Sequence, residues 1–587
     1  MRKPDYSPHK RSLAKFDRDF FKPSDEFTRI GSGELGGKAH GLAQMLGIVQ
    51  AKLKDAFAPA ITVNVPSLVV ITTEFFDAFM KENDLFEIAY SEARDDLIAH
   101  AFMKADLPVR LVGDLRALVE QVHTPLAVRS SSMLEDAMFE PFASVYGTKM
   151  VPNNEPGADE RFRRLAAAVK LVYASTFFKV ARNYMMATHH NTRDEKMAVV
   201  IQEVVGSRLG DRFYPIVSGV LRSYNFYPTG HAAPEEGVAE LALGLGRTIV
   251  DDGVSWAFSP AYPATDPPFK SMGDRLKHTQ TRFWAVNMRK LQRYDPVNEV
   301  EFLEQASIAD AEYDGALRYI ASTYAPQDDR MIPGTGVKGP RVLDFAPILK
   351  DRMLPLADLL VATKKTCEDT LGVMVEVEFA LRLDHRNCEP AEFGFLQVRP
   401  MVVSEAKVDL PVEVLGGDQV LVASEQVLGN GVIDTIRDLI YLDPERFDIM
   451  KTRQIASEIE PFNRALVEAR KPYVLIGFGR WGTTDASAGI PADFSQISGA
   501  KVIVEASLPD LRTTMSQGSH FFHNVTSFKI LFLSVPVESP FGIRWDRIAR
   551  ARVVSRSDFV VHAEFDQPLR VMVDGRSGRG VIASEQP

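Results

Sequence analysis

Three stretches of this 587-residue chain carry residues that could handle a polyphosphate. The first is "GSGELGGKAHGL" (31–42), where Gly36 and Gly37 offer backbone N–H donors and Lys38 a cation ahead of a helix-like run. Gly31, Gly33 and Gly36 also fit the G-x-G-x-x-G spacing of a dinucleotide fingerprint. No acidic residue closes a second strand about 20 positions on, as that fingerprint requires. A Walker A loop is excluded, because Ala39 stands where a Mg²⁺-binding hydroxyl is needed. A plain glycine turn entering a helix accounts for the segment alone equally well.

The second stretch, "PLAVRSSSMLEDAMFEPFASVYGT" (125–148), sets Arg129 and the hydroxyls of Ser130 to Ser132 at the end of an apolar run. A guanidinium fork flanked by hydroxyls suits an anion; a solvated serine turn suits the same residues. The third is "VEVEFALRLDHRNCEPAEFGFLQVRPM" (375–401). Side chains alternate faces along a strand, so Glu376 and Glu378 share a face, as do Gln397 and Arg399. Paired carboxylates repel unless a cation relieves them, and Mg²⁺ bound to a triphosphate takes one or two carboxylates plus phosphate oxygens. The apolar Val375, Val377, Phe395, Leu396 and Val398 interleaved with them argue against a merely solvated hairpin face.

Two later segments are candidates of another kind. "YVLIGFGRWGTTD" (473–485) holds a second G-x-G-x-x-G at Gly477, Gly479 and Gly482, with Arg480 and Thr483 beside it. It reads as an anion or acceptor loop, or as a tight strand-to-turn transition around Trp481. "SGAKVIVEASLPDLRTTMSQGSHFFHNVTS" (498–527) ends in Gly518-Ser519-His520, with His523 one helical turn further.

The elements that must position these residues follow from pattern. "PLAVRS" (125–130), "KMAVVIQEVV" (196–205), "MVEVEFAL" (374–381), "FGFLQVRPMVV" (393–403), "YVLIGF" (473–478) and "KVIVEA" (501–506) predict strands. Apolar spacing over 159–187 predicts one long or broken helix, and 302–325 reads similarly. The alternation predicts a mixed α/β or α+β multidomain fold, with a main boundary near 405–412.

Composition narrows the classes. An apolar fraction of 45% is that of a globular chain, and a net charge of −10 argues against a general nucleic-acid binder. Two cysteines make neither a disulfide scaffold nor a thiolate metal cluster. No long apolar run predicts a membrane span, and the polar N-terminal stretch has no signal-peptide core. The expectation is a cytoplasmic protein with a charged, poorly ordered arm over 1–24.

In order, these segments resemble the ATP-grasp domain of the phosphoenolpyruvate synthase, pyruvate phosphate dikinase and rifampicin phosphotransferase family. "LGGKAHGL", "VPSLVVITTEFF", "AVRSSSMLED", "FASVYGT", "MAVVIQEVV", and "VEVEFA" with "FLQVRP" each match a family motif, and the order over residues 30–401 is specific where any single match is weak. The resemblance implies two lobes around a nucleotide cleft, 25–195 and 196–405, with a helical insertion at about 280–350. It implies ATP and Mg²⁺ as cofactors. Lys38, Arg129 and Ser130 would meet phosphates, with Ser144 and Thr148 in the following turn. Gln202, Glu203 and Val205 would form the adenine hinge. Glu376, Glu378 and Gln397 would hold metal, and Arg399 would stand beside the transferring phosphate. Arg247 sits where the family has Glu, Ser144 where it has Gly, and Glu376 where it has Asp.

The family also implies a swivelling phosphohistidine domain, whose strict motif this chain lacks. Residues 412–587 are read as a divergent version, with His520 as nucleophile and His523 as rival. A turn with satisfied histidines accounts for the same residues equally well. The family's pyruvate-binding barrel, about 250 residues, does not fit after residue 412. The acceptor is therefore expected to be a small molecule bound by the C-terminal half, or to come from a separate acceptor protein. The expected activity is ATP-dependent phosphotransfer; the alternative is a nucleotide-sensing module with no transfer. An NAD oxidoreductase read from the first glycines is set aside.

Overall fold

Among the described residues, runs of β-branched and aromatic residues build five sheets of three or more strands and one two-stranded pair, and helices cover them only where apolar positions recur at helical spacing. The computed structural model describes residues 13–18, 27–134, 145–187, 190–251, 253–269, 271–290, 294–383, 390–401, 408–483, 489–508 and 520–584, without the side chains of Ala187, His520, His523 and Ser527. The fold is α+β and multidomain. Among the described residues no helix is long and apolar enough to cross a membrane.

The first sheet orders Ala14–Lys15, Phe27–Ile30, Leu68–Ile71, Met197–Glu203, Leu126–Ser132 and Thr148–Val151. Helices Thr73–Glu82, Asp95–Lys104, Val109–Gln121 and Ala158–Ser175 pack on one side of it, burying Phe79, Phe102, Leu115 and Tyr173. The second sheet orders Trp256–Phe258, Val238–Ala242, Val217–Arg222, Val375–Arg382, Ala391–Pro400 and Ile61–Asn64. Sheet membership does not follow chain order. Ile61–Asn64 leaves the first sheet's stretch of chain to pair in parallel with Ala391–Gly394 of the second, and Met197–Glu203 returns to lie between two strands of the first. The helix Gly37–Ile48 likewise packs Ala39, Leu42 and Met45 into the second sheet's core.

The stretch 159–187 is a broken helix, Ala158–Ser175 followed by Lys179–Ala187. The helical expectation for 302–325 and for the 280–350 insertion is corrected. Arg282–Asn287 and Leu303–Ser307 are strands of a four-stranded antiparallel sheet, and Ala321–Ala325, Arg330–Pro333 and Arg341–Leu343 form a three-stranded one. Only Ile308–Tyr313 is α-helical between them, because Ser307 caps it and Gly315, at φ 80°, ends it within two turns. "ASTYA" then runs extended through its β-branched and aromatic residues. The arm is also partly corrected: within the described 13–18, Phe16 is buried and its N–H donates to the Arg29 carbonyl.

From Val420 onward the chain forms a nine-stranded mixed sheet. Four neighbours, Asn430–Leu442, Tyr473–Phe478, Ala500–Ala506 and Leu531–Val535, run parallel in sequence order. The helices Thr452–Glu468 and His520–Ser527 contribute Ile455, Ile459, Phe522 and Val525 to the core on one face. This sheet docks on the front of the molecule. Lys179 pairs with Glu460 at 2.7 Å, and Tyr184 meets the rings of Phe494 and Phe528.

One buried cation organises the wall beside the first sheet. Lys149, from Thr148–Val151, is almost fully enclosed and donates to the Pro296 and Asn298 carbonyls at 2.9 Å and to Glu301 at 2.7 Å. Burial pushes its ammonium below the usual lysine range, and Glu301 opposes the shift. Replacing Lys149 by Met leaves the Glu301 carboxylate buried beside unpaired carbonyls. We expect a loss of about 3–5 kcal/mol of stability, the range for breaking a buried pair, read as a lowered urea midpoint. A change within about 0.5 kcal/mol, typical of surface positions, would show that the clamp carries no load.

Candidate nucleotide site

Between the first and second sheets lies a cavity of about 430 Å³. Its lining includes Lys38, Arg129, Ser130 and Thr148 from one side and Glu378, Gln397 and Arg399 from the other. Gln202, Glu203 and Val205, where the chain leaves Met197–Glu203, also line it. The structure thus brings these ten sequence-singled residues into one space.

Lys38 is placed by backbone geometry. Gly36 sits at φ 76°, and a Cβ there would lie 1.8 Å from the Ser131 carbonyl oxygen, so only glycine lets the helix start this close to Leu126–Ser132. Ser131 then ties the two together: its hydroxyl accepts the Ala39 N–H at 3.1 Å and donates to the Leu35 carbonyl at 2.9 Å. Lys38 lies in the first turn and donates from Nζ to the Ser130 carbonyl at 3.0 Å. Ser131 is therefore a helix anchor, while Ser130 lines the cavity.

Arg129 reaches across the gap. Its Nη2 donates to Gln397 Oε1 at 2.8 Å and lies 3.4 Å from Glu378 Oε2. These partners face each other across the antiparallel pair Val375–Arg382 and Ala391–Pro400, whose register sets Glu376 opposite Arg399 and Glu378 opposite Gln397. The alternation read from E-x-E and Q-x-R thus becomes one patch, and its members differ in role. Glu378 is in the cavity, whereas Glu376 does not line it and is buried at 2% exposure. Glu376 Oε1 accepts from Arg399 Nε at 2.6 Å, and Oε2 accepts from Arg222 Nε at 2.5 Å.

Apolar side chains also line the cavity, among them Val145, Met150, Phe178, Leu245 and Leu303. Glu203 accepts from the Thr124 hydroxyl at 2.6 Å, and its N–H donates to the Ser67 carbonyl, which fixes the strand's exit. Gln202 is 2% exposed and its Nε2 has no hydrogen-bond partner among the described residues. A buried amide donor facing a cavity fits a ligand acceptor, because an unmet buried donor is costly.

Sequence reasoning missed four residues. Arg222 was not singled out. Asp251 and Glu299 line the cavity beside Arg247, which pairs with Asp251 at 2.8 Å and stacks over Trp284. Burial raises both carboxyls above their ordinary range, against the pull of Arg247. Asp493 comes from the C-terminal sheet's side, and burial raises its carboxyl as well, with Glu460 adding to the shift. The "IVDDG" run held a signal for Asp251; Glu299 lies in a stretch with no motif.

Ser144 lies outside the described residues, as do the side chains of His520 and His523. The backbone of both histidines belongs to the helix His520–Ser527. Gly477 lies in the strand Tyr473–Phe478, Gly479, Arg480, Gly482 and Thr483 follow it, and none of the five lines the cavity. Among the described residues no three His, Cys, Asp or Glu side chains cluster for a metal.

The model of one protein family, the pyruvate phosphate dikinase AMP/ATP-binding domain, matches residues 32–414. The chain belongs to that family. The match spans the second sheet, the first sheet apart from Ala14–Lys15 and Phe27–Ile30, and every cavity residue named above except Asp493. A comparison with curated proteins finds no match.

The raised carboxyl of Glu299 gives a pH signature. A folded state that holds the proton more tightly than the unfolded chain is penalised once the group is charged. That penalty is full at pH values above the raised one, shrinks as pH falls toward the ordinary value of 4.5, and is gone below it. Glu299→Gln should therefore raise the thermal midpoint at pH 7–8, with the advantage shrinking as the pH drops toward 4.5 and absent below it. A variant less stable than wild type at pH 8 would contradict this account.

Proposed function

We propose that the chain is an ATP- and Mg²⁺-dependent phosphotransferase of the dikinase type, acting through a histidine. The carrying observation is Arg129, which spans from the first sheet to Glu378 and Gln397 of the second inside a cavity that also holds Lys38 and Arg399. Lys38, Arg129 and Arg399 gathered with the Glu378 carboxylate and the Gln397 amide oxygen suit a polyphosphate with a hard cation. On this reading the two sheets are the lobes of an ATP-grasp fold, with Met197–Glu203 in the first and Ile61–Asn64 in the second, which corrects a division of the lobes at residues 195/196. The base would lie toward Gln202 to Val205 and the apolar lining residues.

The donor set fits Mg²⁺. Glu378 and Gln397 Oε1 already converge on one guanidinium nitrogen, and Mg²⁺ commonly takes one or two carboxylates, with phosphates and water completing its shell. Bound there, the ion would neutralise phosphate charge. The chain's own residues do the rest by position. Lys38 and Arg129 hold the polyphosphate, and Arg399 faces the charge that develops on transfer. In the transfer, a histidine ring nitrogen bonds to phosphorus as the bridging P–O bond breaks, and the electron pair leaves with the departing nucleotide. His520 is assigned the nucleophile and His523 is its rival. The loaded histidine then passes the phosphoryl group to a small acceptor or to a separate acceptor protein.

Two measurements test this reading. Arg129→Met should lower turnover by roughly 10²–10³-fold, the range for losing one preorganised charge-stabilising donor, and Lys38→Ala should weaken ATP binding. ATP labelled at the β and γ positions should yield an acid-labile phosphoenzyme that His520→Ala abolishes. Undiminished labelling in that variant moves the role to His523. ATP binding without any phosphoenzyme or isotope exchange would instead make the chain a nucleotide sensor.

A further inference from the structure

We propose that Arg222 is a positioning residue that couples docking of the helix His520–Ser527 to the state of Arg399 in the cavity; this rests on the nucleotide-site reading above. Arg222, Glu376 and Arg399 lie side by side on three neighbouring strands, because the register sets Arg222 opposite Glu376 and Glu376 opposite Arg399. Their side chains form one buried row. Glu376 gives one oxygen to each guanidinium, at 2.5 Å to Arg222 Nε and 2.6 Å to Arg399 Nε. Glu240, itself bound by the Ser255 hydroxyl, stands 3.8 Å from Arg222 Nη1, so two cations face two carboxylates.

One end of this row reaches the cavity through Arg399. The other end is covered by the C-terminal domain. The ring of Phe522 lies over the Arg222 guanidinium at 5.3 Å, and meets Phe226 edge-on at 5.4 Å. Phe522 stands between Phe521 and His523 in the helix that carries both candidate nucleophiles.

The coupling follows from a shared acceptor. Glu376 divides its charge between two arginines. With Phe522 seated, water is kept from Arg222, the ring face attracts the cation, and the Arg222–Glu376 pair strengthens. Glu376 then holds Arg399 less tightly, and the Arg399 fork is more available to phosphate. With the helix lifted away, Arg222 is solvated and Glu376 turns to Arg399. Linkage makes the effect reciprocal: phosphate on Arg399 favours the seated helix. The row thus readies the transferring phosphate when the histidine-bearing helix is in place.

The test uses the whole chain, adenylyl imidodiphosphate with Mg²⁺, calorimetry for binding, and hydrogen exchange of the 521–530 amides. In wild type the analogue should bind and slow exchange of that segment by about fivefold, the low end of ordinary coupling. Arg222→Met should abolish the slowing and weaken the analogue by a similar factor. Phe522→Ala leaves the ionic row intact, so it guards against misfolding of the first variant, and it should weaken the analogue equally. The double variant should be no weaker than either single one. Equal slowing in Arg222→Met, or two single effects that multiply in the double variant, would overturn the coupling while leaving the nucleotide site standing. Failure of the analogue to bind wild type in the calorimeter would remove the nucleotide reading, and the coupling with it.

Discussion

Lys38, Arg129 and Arg399 line one cavity and repel one another, so each must be matched before any ligand arrives. The structure matches all three, each by a different chemistry. Lys38 has the Ser130 carbonyl, Arg129 has an amide oxygen and a nearby carboxylate, and Arg399 has a buried carboxylate shared with a second arginine. A dipole, a mixed pair and a full ion pair hold progressively harder. Under the proposed reading, a phosphate oxygen bound at Arg399 would compete with the Glu376 carboxylate that Arg222 also holds.

That matching also decides how the chain is threaded. Arg129 belongs to the first sheet, and its acceptors belong to the second, so the cavity needs the two sheets at a fixed separation. Two crossings of the chain supply it. The helix Gly37–Ile48 starts against Ser131 of the first sheet and buries its apolar side in the second sheet's core. Ile61–Asn64 then joins the second sheet's edge before Leu68–Ile71 returns to the first. Gly36 is the tightest point in this path, since any side chain there would displace the strand that carries Arg129.

How much of this was legible depends on whether the cause was local. Period-two alternation put Gln397 with Arg399, and Glu378 with Glu376, on shared faces, and the strands Val375–Arg382 and Ala391–Pro400 confirm the alternation. What alternation could not show was that two carboxylates on one face would meet different surroundings. Glu376 is drawn to Arg222, which lies about 150 positions earlier and becomes its neighbour only through strand pairing. Glu299 is similar, because it comes beside Arg247 only through tertiary contact, whereas Asp251 is four residues on from Arg247 and its pairing is local. The misread insertion has another cause. Its apolar residues over 302–325 fit a helical period, but Gly315 and the β-branched "ASTYA" restrict the helix to Ile308–Tyr313. Composition at the ends outweighed spacing in the middle.

The two G-x-G-x-x-G runs show why glycine spacing needs a geometric partner before it means anything chemical. In the first, Gly36 is required by the close approach that delivers Lys38 to the cavity. In the second, a Cβ at Gly477 would lie 2.3 Å from the Trp481 ring, and one at Gly482, already at φ 70°, would lie 2.4 Å from Phe521. These glycines make room for rings, and the second ring belongs to the helix that carries His520 and His523. Phe522, the next residue, lies over Arg222, so the room left at Gly482 is next to the contact between that helix and the arginine row. The two runs share a spacing and differ in use: Gly36 clears a backbone carbonyl, whereas Gly477 and Gly482 clear aromatic rings.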